Sequence, residues 1–343
     1  MQGGQLLKEL SAKNGAGALS WNSDEARGHD LRGVEIALFN EIKRTRGIIR
    51  ESFRNVGFRP LKTNFLGSLD ELRFAVSRDE IDFLVLEVDE NPVKICQFVR
   101  DIRQGMLGSN PYLVISIVTW RADGRMINDF VNAGADDLIA LPASTRITIG
   151  RVNNLIDQRR EFVVTTSYVG PDRHSKSRAK IDELGTFSVP NGLRYKATGD
   201  ESAAPSAARL RQVNHIVETH MLRRMTLRLE QLAAHAERFA AAQPGTPLPN
   251  APLTELLDLV EEIEARTGDD KRVGVAELIA SMGDIKQAIL ATSDARPDIF
   301  ALLKVHGQAL LALQRGDKQA SDLVLRAVRT AKQVVEKRSQ AAA

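Results

Sequence analysis

From Gly33 to about Arg160, short β-rich runs alternate with stretches of helical period. The predicted strands are residues 35–39 (EIALF), 59–63 (RPLKT), 83–88 (FLVLEV), 113–118 (LVISIV) and 137–140 (DLIA). Between and after them come amphipathic helices carried by Ile48, Ile49, Phe53 and Val56; Leu69, Leu72 and Val76; Ile95, Val99 and Ile102; Met126, Phe130 and Val131; and Ile149, Val152 and Ile156. The third and fourth strands are apolar on both faces, which requires helices on both sides of a parallel sheet. The pattern predicts a doubly wound α/β domain.

Past residue 160 the period changes. Residues 161–208 hold Gly, Pro, Ser and Lys clusters without sustained periodicity and read as an extension and flexible basic linker. Residues 209–338 are helical throughout. A first helix carries Leu210, Val213 and Val217, then Leu222, Met225, Leu229, Leu232, Ala236 and Phe239, a seam with a slip in its register. The run 244–252 (PGTPLPNAP) stops it, and helices follow over Leu253–Arg266, Val275–Ala291, Pro297–Gln314 and Lys318–Lys337. An all-α bundle is expected. The seam is too short to separate a homodimeric coiled coil from one member of an intramolecular bundle. Residues 1–32 read as a loose arm.

Composition narrows the function classes. The 47 basic and 44 acidic residues leave a net charge of +3, so global electrostatics point to neither a nucleic-acid nor a membrane partner. The single cysteine, Cys96, rules out a disulfide framework and reads as a buried structural thiol in a reducing compartment. No apolar run reaches membrane-spanning length, and the start lacks the order of a secretion signal, so a cytoplasmic protein is expected.

Chemistry is expected beyond the carboxyl ends of the strands, where open parallel sheets place their sites. Asn40 and Glu41 follow the first strand. Glu87 and Asp89 end the third, Thr119 and Trp120 the fourth, and Leu141 and Pro142 the fifth.

These positions resemble the receiver domain of bacterial two-component response regulators, from Val34 to Gln158. The stretch IALFNEIKRTR is similar to the strand that carries the acidic pair, and DFLVLEVDENPVKICQFVRDIR to the acceptor strand and its helix. NAGADDLIALP is similar to the segment that reads Ala-Gly-Ala-Asp-Asp-Tyr-Leu-x-Lys-Pro in the family. The resemblance implies a five-stranded parallel sheet of order 2-1-3-4-5. It also implies a site in which paired acids hold Mg²⁺, an Asp accepts a phosphoryl group, a hydroxyl responds to it, and a Lys neutralises it.

Each part has a counterpart here, and most are altered. The acidic pair falls on Asn40 and Glu41, so Glu41 and Glu87 would be the remaining carboxylates of a weakened Mg²⁺ site. The acceptor falls on Glu87, whose extra methylene displaces the carboxylate by about 1 Å, enough to cost on the order of 100-fold in rate. The Lys position is Leu141, so a phosphoryl group or its Glu mimic would lack its cation. Thr119 keeps the hydroxyl, followed by Trp120 where the family has a small residue, and the indole should cover the site. The family's aromatic relay position is Leu138. The expectation is a vestigial phosphoacceptor site at Glu87, Asn40, Glu41, Thr119, Leu141 and Trp120, with no catalytic residue. Partners would be a kinase, a phosphotransfer protein or another regulator.

FVVTTSYVGPDRH (162–174) resembles an extension found after the last receiver helix in a proteobacterial group, which ends Tyr-x-Gly-Pro-Asp-Arg-Arg; here the last Arg is His174. Its Gly170-Pro171-Asp172 reads as a turn that folds residues 162–166 back as an extra edge strand. Two further readings concern the helical part. His306 and His235 are candidate phosphotransfer histidines. Residues 275–303 are a candidate helix-turn-helix, with Gly283 in the turn and Lys286 and Gln287 near the start of the recognition helix. Neither displaces the leading expectation of a protein-binding scaffold. The six histidines make no metal pair, because His215 and His220 do not share a helix face.

Overall fold

The computed structural model describes residues 28–40, 45–59, 63–88, 91–121, 123–173, 185–268, 272, 274–291 and 296–342. Contacts divide the chain into two units, Met1–His215 and Ile216–Ala343.

The first unit contains a parallel sheet of β1 (Ile36–Phe39), β2 (Thr63–Leu66), β3 (Phe83–Glu87), β4 (Val114–Thr119) and β5 (Asp137–Ala140), in the order β2-β1-β3-β4-β5. Helices α1 (Arg46–Val56), α2 (Leu69–Ser77), α3 (Pro92–Arg103), α4 (Gly124–Ala133) and α5 (Thr145–Asp157) follow the strands in turn. Alternation along the strands splits the core in two. Leu84, Leu86, Ile115 and Ile117 pack under α2, α3 and α4, whereas Phe83, Val85, Val114 and Val118 pack under α1 and α5. Every residue of β3 and β4 is buried, as helices on both faces demand. Helix starts are set locally. Ser68, Asp123 and Ser144 each accept from a backbone N–H three residues on. The thiol of Cys96 is buried in α3, and burial pushes its pKa up to about 11, which leaves it unreactive near neutrality.

Two strand expectations for this unit are corrected. The second strand is Thr63–Leu66 rather than 59–63. Of the expected range, residues 60–62 lie outside the described residues. The stretch after residue 160 is also no extra edge of the main sheet. β6 (Phe162–Val164) and β7 (Val169–Pro171) form a separate antiparallel hairpin whose turn lies between them, with Gly170 and Pro171 inside the second strand.

The hairpin is held by buried charge. Arg103 donates to the carbonyls of Pro111, Leu113 and Gly134 and pairs with Asp136 at 2.8 Å. Arg159 pairs with Asp136 at 2.8 Å from the other side. The buried Phe162 ring lies beneath both guanidiniums, 5.3 Å from that of Arg103 and 5.2 Å from that of Arg159. Arg173 donates to the carbonyls of Ala135 and Asp136. Gly170 has a steric reason to be glycine, since a Cβ there would lie 2.5 Å from the Tyr168 Oη and 3.0 Å from the Gly134 Cα.

Much of the expected linker is packed structure. Helix α6 (Gly192–Thr198) buries Leu193 and Ala197 against the apolar cluster under α1 and α5. Asn191 caps that helix through Arg194 N and donates its amide to the Leu155 carbonyl. The segment was hard to read because its apolar stripe is one pair of residues four apart, too short to set a period, and side-chain hydrogen bonds add to what holds it. Residues 174–184, where the basic cluster falls, lie outside the described residues.

The unit boundary lies within α7 (Ala207–Ala242), a continuous helix of 36 residues. The expected slip is absent. Met221 continues the buried line Val213, Val217, Met225, Leu229, Leu232 and Ala236, while Leu222 is only partly buried. In the second unit α7 is followed by α8 (Asn250–Thr267), α9 (Val275–Leu290), α10 (Pro297–Arg315) and α11 (Ala320–Ala342). Pairs Arg228–Glu255 and Glu218–Arg266 align α7 antiparallel to α8. Thr226–Gln314, Glu230–Gln308 and Glu237–Lys304 contacts align it antiparallel to α10. The core between them is aliphatic, built on Leu256, Val260, Leu278, Met282, Leu303 and Leu310.

Candidate functional site

The strand ends bring most of the expected residues together. Parallel pairing aligns Phe39 with Leu86 and Glu87 with Val118, so Asn40 and Glu87 emerge side by side at the carboxyl edge. Both are buried, Glu87 at 3% exposure. A buried carboxylate must find hydrogen-bond donors, and two of those that Glu87 finds are neutral. The Thr45 hydroxyl donates to Oε2 at 2.9 Å, and the Trp120 indole N–H donates to Oε1 at 3.0 Å. The Asn40 amide in turn donates to the Thr45 Oγ1 at 3.2 Å, which makes a chain of amide, hydroxyl, carboxylate and indole. Arg46 reaches back to the Asn40 carbonyl at 3.3 Å.

Trp120 thus binds the acid through its ring nitrogen as well as covering it. Thr45 was not anticipated from sequence. The only available signal was its place just before α1, and only the fold brings it to β3. Thr119 is fully buried, and its Oγ1 accepts from the Arg121 N–H at 3.1 Å, so it serves the loop that carries Trp120. Leu141 packs on the apolar cluster under α1 and α5, beside a cis bond to Pro142. Leu138 is partly buried against the opposite cluster. Glu41, Asp89 and Glu90 lie outside the described residues.

Of the carboxylates expected for a cation site, Glu87 alone is among the described residues; both its oxygens accept hydrogen bonds, and the neighbouring Asn40 Oδ1 is buried without a hydrogen-bond partner. Among the described residues no group of three His, Cys, Asp or Glu side chains could hold a metal ion.

The other candidates separate cleanly. His306 is fully buried. Its Nδ1 lies 2.8 Å from the Leu302 carbonyl, so that nitrogen carries the proton, and its Nε2 lies 2.9 Å from the Ser281 hydroxyl, from which it accepts. With both nitrogens engaged inside the bundle, it is not placed for phosphotransfer. His235 is exposed on α7. The helix-turn-helix reading is overturned, because Gly283 sits inside the uninterrupted α9 and Lys286 is turned to Glu261 and Glu264. Gly283 does not break the helix, because the buried apolar period runs through it from Leu278 to Met282 and Ile285.

Burial lowers the pKa of His306 below the ordinary imidazole range, more than the Leu302 carbonyl raises it. The unfolded chain therefore binds the proton more readily than the folded one. Stability from this group is present above the ordinary histidine pKa and is lost as pH falls through the lowered value. Urea unfolding followed by far-ultraviolet circular dichroism should show the bundle weakening between pH 7 and pH 5, with that loss reduced in His306→Leu. Equal pH dependence in the variant would refute the assignment.

No protein-family model matches the chain, and no curated protein matches it. Solved structures similar to it include the receiver domain of a sensor histidine kinase from Pseudomonas aeruginosa PAO1, with magnesium coordinated in its active site cleft. That likeness has 19% identity, covers 36% of this chain and 95% of that one, and has a TM-score of 0.31. The chemotaxis protein CheY4 of Vibrio cholerae is similar at 11% identity over 35% of this chain and 97% of that one, TM-score 0.31. An orphan response regulator of H. pylori is similar at 20% identity over 36% and 96%, TM-score 0.29. Among the described residues no helix is long and apolar enough to cross a membrane.

Proposed function

We propose that residues 33–160 are a response-regulator-like receiver that has lost phosphoacceptor chemistry and works, without catalysis, as a protein-interaction module in a two-component or phosphorelay pathway. The strand order and the motif resemblance at Glu87 and Leu141 support the receiver reading. The observation that carries the loss of chemistry is the state of Glu87, whose two oxygens are both held by neutral donors, Thr45 and Trp120. Phosphoryl transfer depends almost entirely on positioning and charge stabilisation. A carboxylate tied at both oxygens, with an aliphatic side chain where a cation is needed, supplies neither. The helical unit then serves as a scaffold or oligomerisation element, and its partner is a kinase, a phosphotransfer protein or another regulator.

The test is incubation of the full chain with acetyl phosphate and Mg²⁺, followed by intact-mass measurement under non-acidic conditions. An unchanged mass is expected. A phosphoryl adduct mapped to Glu87 would overturn the proposal.

A further inference from the structure

Helices α7 to α10 of the second unit meet along four seams, and different chemistry holds each. Arg228–Glu255 and Glu218–Arg266 hold α7 to α8, and Lys286 holds α9 to α8 through Glu261 and Glu264. Gly283 suits that second seam, since a Cβ there would lie 2.8 Å from the Glu264 Oε1. Lys304–Glu237 and Gln308–Glu230 hold α10 to α7. The fourth seam, α9 against α10, is crossed in the core by the hydrogen bond between Ser281 and the fully buried His306. Helix α11 packs on both α9 and α10 and so lies along this seam.

The fourth seam carries a group that changes charge near neutrality. An Arg–Glu or Lys–Glu pair keeps both charges above about pH 5, whereas an imidazole titrates between about pH 5 and pH 8. A proton on His306 meets no carboxylate. On α9, Glu277 and Asp284 are exposed and Lys286 faces Glu261 and Glu264 of α8; on α10, Lys304 faces Glu237 of α7. On α7, Glu230 takes Gln308 and His235 is exposed; on α11, Asp322, Arg326, Arg329 and Lys332 are exposed. Burial and the Leu302 carbonyl are the influences on the imidazole. The Ser281 hydroxyl can turn to accept the new N–H, so the cost of the proton is that of an uncompensated charge in an aliphatic core. Helix α11 resists little, because its buried line of Ala320, Val324, Ala327 and Ala331 removes little apolar area from water.

We propose that the α9–α10 seam is an acid-operated joint: protonation of His306 opens it and lifts α11, while the other three seams stay closed. Opening bares the apolar faces of α9 and α10 at Leu278, Met282, Leu303 and Leu310, all fully buried in the closed state. The helical unit thus hides this surface at neutral pH and offers it in acid. The closed state binds the proton less readily than the open one, so closure is favoured above the ordinary histidine range and is lost as pH falls below it. The joint uses no residue of the first unit and stands apart from the receiver reading.

The test is hydrogen exchange of the full chain at pH 7 and pH 5, read by mass spectrometry with labelling times scaled to equal intrinsic exchange. Peptides from 275–290 and 320–335 should lose protection by on the order of tenfold at pH 5, and peptides from 221–242 and 250–267 should keep theirs. Protection should not change with pH in His306→Leu, nor in His306→Gln, which keeps a polar group that takes no proton. A parent-like exchange pattern at pH 7 shows that each variant folds, and the parent's own pattern tests the location of the opening whatever the variants do. Loss spread evenly over all five helices, loss in α7 and α8 alone, no loss at pH 5, or an acid response that survives in either folded variant would each overturn the joint.

Discussion

Replacing Asp136 with alanine is expected to destabilise the N-terminal unit by about 3–5 kcal/mol, the cost of leaving buried cations unpaired. Asp136 stands between Arg103 and Arg159 and also accepts the Ile115 N–H at 2.8 Å. Side-chain exposure at the Arg103–Asp136 contact is 1% for both partners, so water cannot replace what is removed. Trp120 lies in this unit, and residues 216–343 contain no tryptophan. Urea unfolding followed by tryptophan fluorescence therefore reports on it. A loss below about 1 kcal/mol would mean that the pair contributes no more than a surface bridge.

The acid response supplies a second readout. Burial raises the pKa of Asp136, but Arg159 and Arg103 outweigh burial and hold it below the ordinary carboxylate range. Its stabilisation is thus present above the ordinary Asp pKa and is lost as pH falls through the lowered one. Asp137 behaves oppositely. Burial raises its pKa more than Arg151 lowers it, so its contribution favours folding when protonated and is lost as pH rises through the raised value. Comparing parent and Asp136→Ala at each pH reads the Asp136 part together with the change at Asp137, whose pKa the neighbouring Asp136 charge helps to raise.

The second large effect is expected at Phe162. Truncation to alanine should cost about 3–5 kcal/mol, because a fully buried ring is lost from a site that cannot collapse around it. The ring meets Tyr112 edge-on, with centroids 5.9 Å apart, and lies against two guanidiniums. Phe162→Leu should cost less, since it keeps most of the apolar volume and loses the ring's attraction for the cations. The double variant with Asp136→Ala should fall short of the sum of the two singles, because both act on Arg103 and Arg159. Full additivity in the same fluorescence assay would show that hairpin and ion pair are independent.

The two sites contrast in how they treat charge. Asp136 is a carboxylate met by two guanidiniums and is structural. Glu87 is a carboxylate met by a hydroxyl and an indole, at the edge where open sheets bind ligands. On the proposed reading, a phosphoryl group would bring more negative charge to an edge where the Lys position of the receiver pattern is the aliphatic Leu141, packed in an apolar cluster, which favours binding over transfer.

Hydrophobic period alone determined the helices of the bundle and four of the five strand positions of the sheet. Apolar spacing is a local property, and it survives wherever one face of an element must be buried. The residue types at the strand ends likewise placed Asn40, Glu87, Thr119 and Trp120 on one edge, because parallel pairing leaves them nowhere else. Tertiary structure decided what was not local. Thr45 reaches Glu87 across 42 positions of sequence, Arg103 reaches Asp136 across 33, and Asn191 reaches Leu155 across 36. Polar side chains carry no period, and a hydrogen bond depends on the position of a single atom rather than on a pattern of faces. Gly283 in mid-helix and Met221 in the unbroken seam follow the same logic, since neighbouring helices set which face is buried and the chain itself offers only candidates.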